Sequence, residues 1–294
     1  MNQIKNTAKK LSRYPILCAL LAYGGWMVWE YIVIYILLFA TIFLGDFPGW
    51  IRIVIQLPLL SLYVVWLKKI LGNGFTIGFR LDNLGKSLLM CSSVAVVLVY
   101  FAVQSIRVFR VLPVEVSGME FFTAMMDKIM FGVNPGVTEE YMFRVILMGM
   151  IMHLSKGKKN RLFLAVALSS GLFGMIHLVN IFAGASFVET FFQQVFYASA
   201  VGVLFAGVYA RTRNILVPMI AHSLWDILEK FYAPFYPSLS ELPLELQPVI
   251  PEEVFNIIIT VLLLAAGLYL LRPSRHHEIE EHWGSLAAEE DAPM

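Results

Sequence analysis

Residues 136–144 read Gly-Val-Thr-Glu-Glu-Tyr-Met-Phe-Arg, which places two adjacent carboxylates and a guanidinium at the head of a strongly apolar run. An ionised side chain near the centre of a bilayer costs about 2.5 to 3.5 kcal/mol on insertion scales, so such residues indicate a functional site by default. These charges need partners from elsewhere in the chain. Two other apolar runs offer them, since residues 173–177 read Phe-Gly-Met-Ile-His and residues 222–226 read His-Ser-Leu-Trp-Asp.

The composition indicates a polytopic membrane protein. Of the 294 residues, 59% are hydrophobic and only 15% are charged, which is far from the composition of a soluble globular domain. The net charge of +1 excludes a broad basic surface, so no nucleic-acid partner is expected. Cys18 and Cys91 both lie inside apolar runs, and neither is expected to form a disulfide.

Apolar runs long enough to cross about 30 Å of hydrocarbon predict an all-α fold of about eight transmembrane helices around a buried polar pocket. The runs lie near residues 26–45, 51–67, 87–106, 137–154, 162–180, 188–210, 214–232 and 254–271. Residues 120–135 are less regular. They predict either an interfacial helix or the upstream part of a long helix that bends at Pro135-Gly136.

Lysine and arginine residues cluster at alternate ends of these runs, which predicts that both termini are cytoplasmic. The clusters lie within residues 5–13, 68–86, 156–161, 211–213 and 272–275. Beyond Arg275 the chain carries His276, His277, Glu278, Glu281 and His282. Glu281 stands where the helical zinc-protease motif needs its second histidine, so this segment is expected to be a solvated, acidic tail.

Helical spacing predicts how the polar residues pair. Thr138 is expected to cap a helix that begins after a Pro135-Gly136 turn, so that Glu139 and Glu140 lie in the first turn near the positive end of the helix dipole. Residues four apart share a face, so Glu140 is expected to pair with Arg144, which leaves Glu139 free for chemistry. By the same spacing Phe173 shares a face with His177, and His222 shares one with Asp226.

The three motifs together resemble the signature of the CAAX-protease and bacteriocin-processing (CPBP, or Abi) family, which includes the Ras-converting type II CAAX endopeptidases. The matching patterns are E-E-x-x-x-R at Glu139–Arg144, F-x-x-x-H at Phe173–His177 and H-x-x-x-(N/D) at His222–Asp226. The resemblance covers roughly residues 130–232. It predicts N-terminal transmembrane helices over 1–118, a catalytic core over 119–232, a loop and last transmembrane helix over 233–271, and a cytoplasmic tail over 272–294.

The resemblance implies an intramembrane endopeptidase that cuts a membrane-associated or lipidated protein or peptide. Glu139 would activate water together with His177, and His222 and Asp226 would stabilise the oxyanion or hold the water. Glu140 and Arg144 would support them. Asp226 stands where many relatives carry Asn, and because an ionised carboxylate cannot donate a hydrogen bond, this favours orienting His222 or ligating a metal.

Two questions stay open at the level of the sequence. Glu139, His177, His222 and Asp226 would suit a zinc ion with an open position for water, and they would equally suit a metal-free glutamate mechanism. A non-catalytic relative that acts as a membrane scaffold, or as a bacteriocin-immunity or maturation factor, is the alternative to the enzyme. A proton-coupled transporter is a third, but the repeated halves and interrupted helices of such proteins are not evident. The chain is expected to be a monomer in a bacterial or archaeal cell membrane, with lipid and its substrate as partners.

Overall fold

The fold is built from helices. The computed structural model describes residues 13–45, 48–72, 75–81, 83–182, 184–239 and 241–284, and it has no strand within those ranges. The predicted all-α class is therefore confirmed. Apart from short 3₁₀ turns at Ala233–Phe235, Leu244–Leu246 and Pro273–Arg275, the elements in chain order are α1 (Pro15–Leu44), α2 (Gly49–Leu71), α3 (Leu84–Met90), α4 (Ser92–Val111), α5 (Gly118–Glu140), a π-helical segment (Tyr141–Gly149), α6 (Met150–Leu154), α7 (Arg161–Met175), a 3₁₀ segment (Ile176–Ile181), α8 (Phe187–Glu189), a second π-helical segment (Thr190–Val195), α9 (Phe196–Thr212), α10 (Leu216–Leu228), α11 (Glu252–Leu270) and α12 (His276–Gly284).

Six helical runs of the described chain are long and apolar enough, by length and composition, to cross a membrane. They are Pro15–Leu44, Gly49–Leu71, Ser92–Val111, Arg161–Ile181, Phe187–Thr212 and Glu252–Leu270. The predicted spans near 137–154 and 214–232 are not among them. Helix α10 has only 13 residues, too few to cross a bilayer unaided. The chain is a polytopic membrane protein, and the number of eight crossings stays a prediction.

Helix α5 differs from the expected local structure at Pro135-Gly136. It begins at Gly118 and runs through Pro135 without a turn, so the interpretation as one long helix is the correct alternative. The Thr138 hydroxyl donates a hydrogen bond to the Asn134 carbonyl at 2.9 Å within this helix, and the predicted N-cap is wrong. A membrane helix tolerates an internal proline when a neighbouring helix helps to satisfy the backbone groups that the proline frees. Here α5 packs closely against α10.

Glu139 and Glu140 therefore lie at the end of α5, where the backbone changes to the π-helical segment Tyr141–Gly149. They do not occupy the first turn of a helix. Stabilisation of their charges by a helix N-terminus, which the sequence suggested, does not apply. Their partners must come from other side chains.

Helix α9 forms the buried centre of the bundle. From Val201 to Thr212 almost every side chain is buried, because α7 packs on one side and α11 on the other. The outer helices have many exposed apolar side chains; on α1 these include Tyr31, Ile36 and Phe39. Such faces are expected where a helix contacts lipid.

The expectation of a solvated tail is wrong for residues 276–284. They form helix α12, and its Ile279 and Trp283 side chains are buried against the bundle. The Trp283 indole donates to the Ala210 carbonyl at 2.8 Å. Burial of each apolar side chain stabilises the docked helix by about 1.5 to 3 kcal/mol. The acidic composition of the segment gave no indication of this burial. Residues 285–294 lie outside the described part of the chain.

Glu278 is the electrostatic centre of this docked helix. Its carboxylate lies 2.7 Å from Lys86 Nζ, 3.0 Å from Arg211 Nη2 and 3.3 Å from Arg275 Nη1. Partial burial raises the pKa of Glu278, but the hydrogen bonds and charges of Lys86 and Arg211 outweigh it and lower the pKa to about 2. The ionised carboxylate thus favours the docked state.

Acidification is expected to release α12. Because the pKa of Glu278 is depressed in the folded state, its contribution is complete above its ordinary pKa of 4.5 and is lost as the pH falls towards about 2. Hydrogen exchange of residues 276–284 should accelerate over this interval. Glu278→Gln should give the fast exchange already at pH 7, while Glu281→Gln, on the exposed side of the same helix, should exchange like the wild type. Slow exchange in Glu278→Gln at pH 7 would contradict this assignment.

Candidate active site

The first element of the site is a buried ion pair. Arg144 Nε lies 3.1 Å from Glu140 Oε2, and both side chains are fully buried at 0% exposure. The predicted pairing of Glu140 with Arg144 is confirmed. The guanidinium also lies over the Phe173 ring, 4.7 Å from its centroid, where the ring face attracts a cation. This contact joins the glutamate segment to α7.

Glu140 has a second partner that helical spacing did not reveal. Its Oε1 lies 3.1 Å from Nδ1 of His222 on α10, and the imidazole is buried. An ionised carboxylate only accepts hydrogen bonds, so in this pair Nδ1 carries the proton. Glu140 thus connects Arg144 to His222, and it sets the orientation of the imidazole ring.

The other ring nitrogen of His222 faces two carboxylates. Its Nε2 lies 3.8 Å from Glu139 Oε2 and 3.5 Å from Asp226 Oδ2. The structure therefore brings Glu139, Glu140 and Asp226 around one imidazole. Glu140 is fully buried and Glu139 is 23% exposed, so Glu139 is the more accessible of the two glutamates.

His177 stands at the edge of this group. Its Nδ1 lies 3.0 Å from the Phe173 carbonyl, and the chain tightens into a 3₁₀ segment one residue before it, at Ile176. A carbonyl oxygen only accepts, so Nδ1 donates and Nε2 is left for the pocket. Within the described chain His177 forms no ion pair with Glu139, and the proposed cooperation of these two residues lacks a direct contact.

The Phe173 ring contacts both imidazoles. Its centroid lies 5.7 Å from the ring of His177 and 5.7 Å from the ring of His222, edge-to-face with both. Such contacts contribute about 0.5 to 1.5 kcal/mol beyond burial. The F-x-x-x-H motif therefore places its phenylalanine in contact with both histidines.

A cavity of about 530 Å³ reaches this group from one side, a size usual for ligand sites. His177, His222 and Asp226 line its inner end, and Glu189 and Gln193 line it as well. Aromatic and polar side chains share the rest of the lining. The aromatic ones are Tyr100, Phe101, Phe173, Tyr197, Phe205, Trp225, Tyr232 and Phe255, and the polar ones are Gln104, Gln194, Glu229, Lys230, Glu252, Glu253 and Asn256. Glu139 does not line this cavity, but its carboxylate lies 3.8 Å from Nε2 of His222, which does.

Lys128 is a residue of this region that motif reasoning missed. Its ammonium donates to the backbone carbonyls of Asp226 and Glu229, both at 2.8 Å. It thereby satisfies carbonyls at the end of α10, the helix that carries His222 and Asp226. The four-residue spacing from Lys128 through Gly132 and Gly136 to Glu140 was the signal available in the sequence.

The donor set does not fit a metal ion as the side chains stand. Among the described residues no three side chains of His, Cys, Asp or Glu converge closely enough to hold one. His222 bonds Glu140 through Nδ1, and His177 bonds a backbone carbonyl through Nδ1, so Nε2 is the ring nitrogen that each histidine could offer to a ligand.

Residues 121–228 match the family described as type II CAAX prenyl endopeptidase Rce1-like. The matched range lies within the predicted core over 119–232. The resemblance inferred from the three motifs is confirmed. No curated protein and no solved structure matches the chain.

Proposed function

Since residues 121–228 match the type II CAAX prenyl endopeptidase Rce1-like family, we propose that the chain hydrolyses a peptide bond in a membrane-associated or lipidated protein. The observation that carries this proposal is the placement of an accessible glutamate, Glu139, and a carboxylate-bound imidazole, His222, within 3.8 Å of each other. The adjacent cavity would hold the substrate backbone.

In the proposed reaction Glu139 is the general base. Its carboxylate accepts a proton from a water molecule as the water oxygen attacks the carbonyl carbon of the substrate. The same proton then passes to the leaving amine nitrogen as the carbon–nitrogen bond breaks. A positioned base of this kind contributes about 10² to 10⁴ in rate.

His222 would stabilise the negative charge that develops on the substrate oxygen. With Nδ1 bound to Glu140, a protonated ring presents Nε2–H toward the cavity, and such a donor in a water-poor site is worth more than in water. Asp226, 3.5 Å from Nε2, would orient the ring and favour its protonated form. His177, on the cavity wall, would assist Glu139 in holding the water.

Glu140 and Arg144 support the reaction without touching substrate. Their buried pair fixes the His222 ring, and Arg144 fixes Phe173. Together with His177 they complete the set of proposed site residues: Glu139, Glu140, Arg144, His177, His222 and Asp226.

A search for cleavage products tests this function even while the substrate is unidentified. Membranes from cells that express the wild-type chain or Glu139→Gln would be compared by mass spectrometry of new peptide termini. Termini that appear only with the wild type are expected. Equal sets of termini in both samples would instead favour the non-catalytic scaffold or immunity factor.

Metal analysis of the purified protein tests separately whether the chain binds zinc. Metal analysis after detergent extraction is expected to show well under one zinc per chain, because the described side chains do not form a three-ligand set. One tightly held zinc that is lost in His222→Ala would contradict this expectation and would favour the metal mechanism.

A further inference from the structure

From Lys128 to Glu140, one face of α5 contacts α10. Lys128, Gly132, Gly136 and Glu140 recur every four residues and so share this face. Each contacts α10 or the residue after it, from Glu229 at one end to His222 at the other. The face connects the helix of the glutamates to the helix of the second histidine.

The two glycines allow backbone contact between the helices. A Cβ atom on Gly136 would lie 2.6 Å from the Ser223 backbone nitrogen, and one on Gly132 would lie 2.7 Å from the Ile227 nitrogen. Carbon atoms pack at about 3.5 to 4.0 Å, so any larger residue would separate the helices by about 1 Å. Small residues at four-residue spacing are a known means of close helix packing in membranes.

Lys128 fixes the position of α10 along this face. Its ammonium binds the Asp226 and Glu229 carbonyls, both at 2.8 Å. The glycines set how closely the helices approach, and the lysine opposes sliding of one helix along the other. At the opposite end of the face, Glu140 Oε1 lies 3.1 Å from His222 Nδ1.

We propose that Lys128, Gly132 and Gly136 are positioning residues that hold His222 and Asp226 in reach of Glu139 and Glu140. The catalytic role of these residues rests on the proposed function. Their packing against α10 does not depend on that function. The three residues do not contact the cavity, so they act only through the helix that they hold.

The sharpest test reads the His222 imidazole directly. Side-chain ¹⁵N resonances of His222 in the full chain would be assigned by their loss in His222→Gln. Gly136→Ala is expected to move these resonances toward those of an imidazole without a carboxylate partner. Gly171→Ala is the matched control, because its added methyl group would meet no atom of a neighbouring element within 4 Å. The His222 resonances of this variant should equal those of the wild type.

Lys128 provides a second variant should Gly136→Ala not fold. Lys128→Met removes the ammonium but keeps an unbranched apolar side chain that is one atom shorter, and it is expected to move the His222 resonances in the same direction. Lys128→Arg keeps a donor and should restore most of the wild-type spectrum. Wild-type resonances in both Gly136→Ala and Lys128→Met would overturn the inference.

The kinetic consequence uses the peptides that the wild type cleaves. Gly136→Ala should lower kcat about 100-fold, the cost of a misplacement of about 1 Å. KM should change less than kcat, because most of the residues that line the cavity lie outside α10. An unchanged kcat with shifted resonances would limit the role of this face to structure and overturn the catalytic part of the inference. If the wild type cleaves no peptide, the proposed function fails, and the resonances alone still decide whether these residues position His222.

Discussion

Glu139→Gln is expected to lower peptide hydrolysis about 10²- to 10⁴-fold, the contribution of a positioned general base. The amide has nearly the same shape as the carboxylate but cannot accept the proton of water. Because Glu139 is partly exposed and 3.8 Å from His222 Nε2, the substitution should leave packing and the unfolding temperature unchanged. The measurement is the rate at which the new termini form in vesicles that contain purified protein.

Two further variants make this result interpretable. Glu120→Gln makes the same chemical change on α5 at an exposed position near its start, and it should cleave like the wild type. His222→Ala should lose as much activity as Glu139→Gln if the two act on one reaction. Full activity in a folded Glu139→Gln variant would exclude the proposed general base.

Arg144→Met is expected to cause the largest loss of stability, about 3 to 5 kcal/mol. This is the usual cost when one partner of a buried ion pair is removed and the other charge is left unpaired. Glu140 would remain fully buried, with the His222 imidazole still hydrogen-bonded to its Oε1. Chemical unfolding of the protein in detergent micelles, followed by its fluorescence, measures the change.

Two further variants distinguish the effect of the unpaired Glu140 charge on stability from the effect of losing the arginine side chain. Arg110→Met replaces an exposed arginine near the end of α4 and should change stability by less than about 0.5 kcal/mol. The double variant Glu140→Gln, Arg144→Met should recover part of the loss, because it removes the unpaired charge. A single Arg144→Met variant as stable as Arg110→Met would show that the buried pair contributes nothing to the fold.

Much of the site could be read from local spacing. The pairing of Glu140 with Arg144 needs only the geometry of one helical turn, and so does the approach of His222 to Asp226. The order of the three motifs was sufficient to identify the family that residues 121–228 match. Apolar composition was sufficient to predict an all-helical membrane protein.

Local rules failed where contacts between helices compete with them. The dipeptide Pro135-Gly136 predicted a turn, yet α5 continues through it, and Gly136 packs against the backbone at Ser223. The composition of residues 276–284 predicted a solvated tail, yet Ile279 and Trp283 are buried. In both cases a few apolar or close backbone contacts outweigh the preference of the segment itself.

Membrane class, helical content and the pairs within each helix follow from the order of residues alone, because they depend on neighbours at most four positions apart. The bond from Glu140 to His222, the position of Lys128 on the carbonyls of α10 and the docking of α12 depend on residues far apart in the chain. Their geometry is set by how closely and in which register two helices pack, and only the folded molecule determines that.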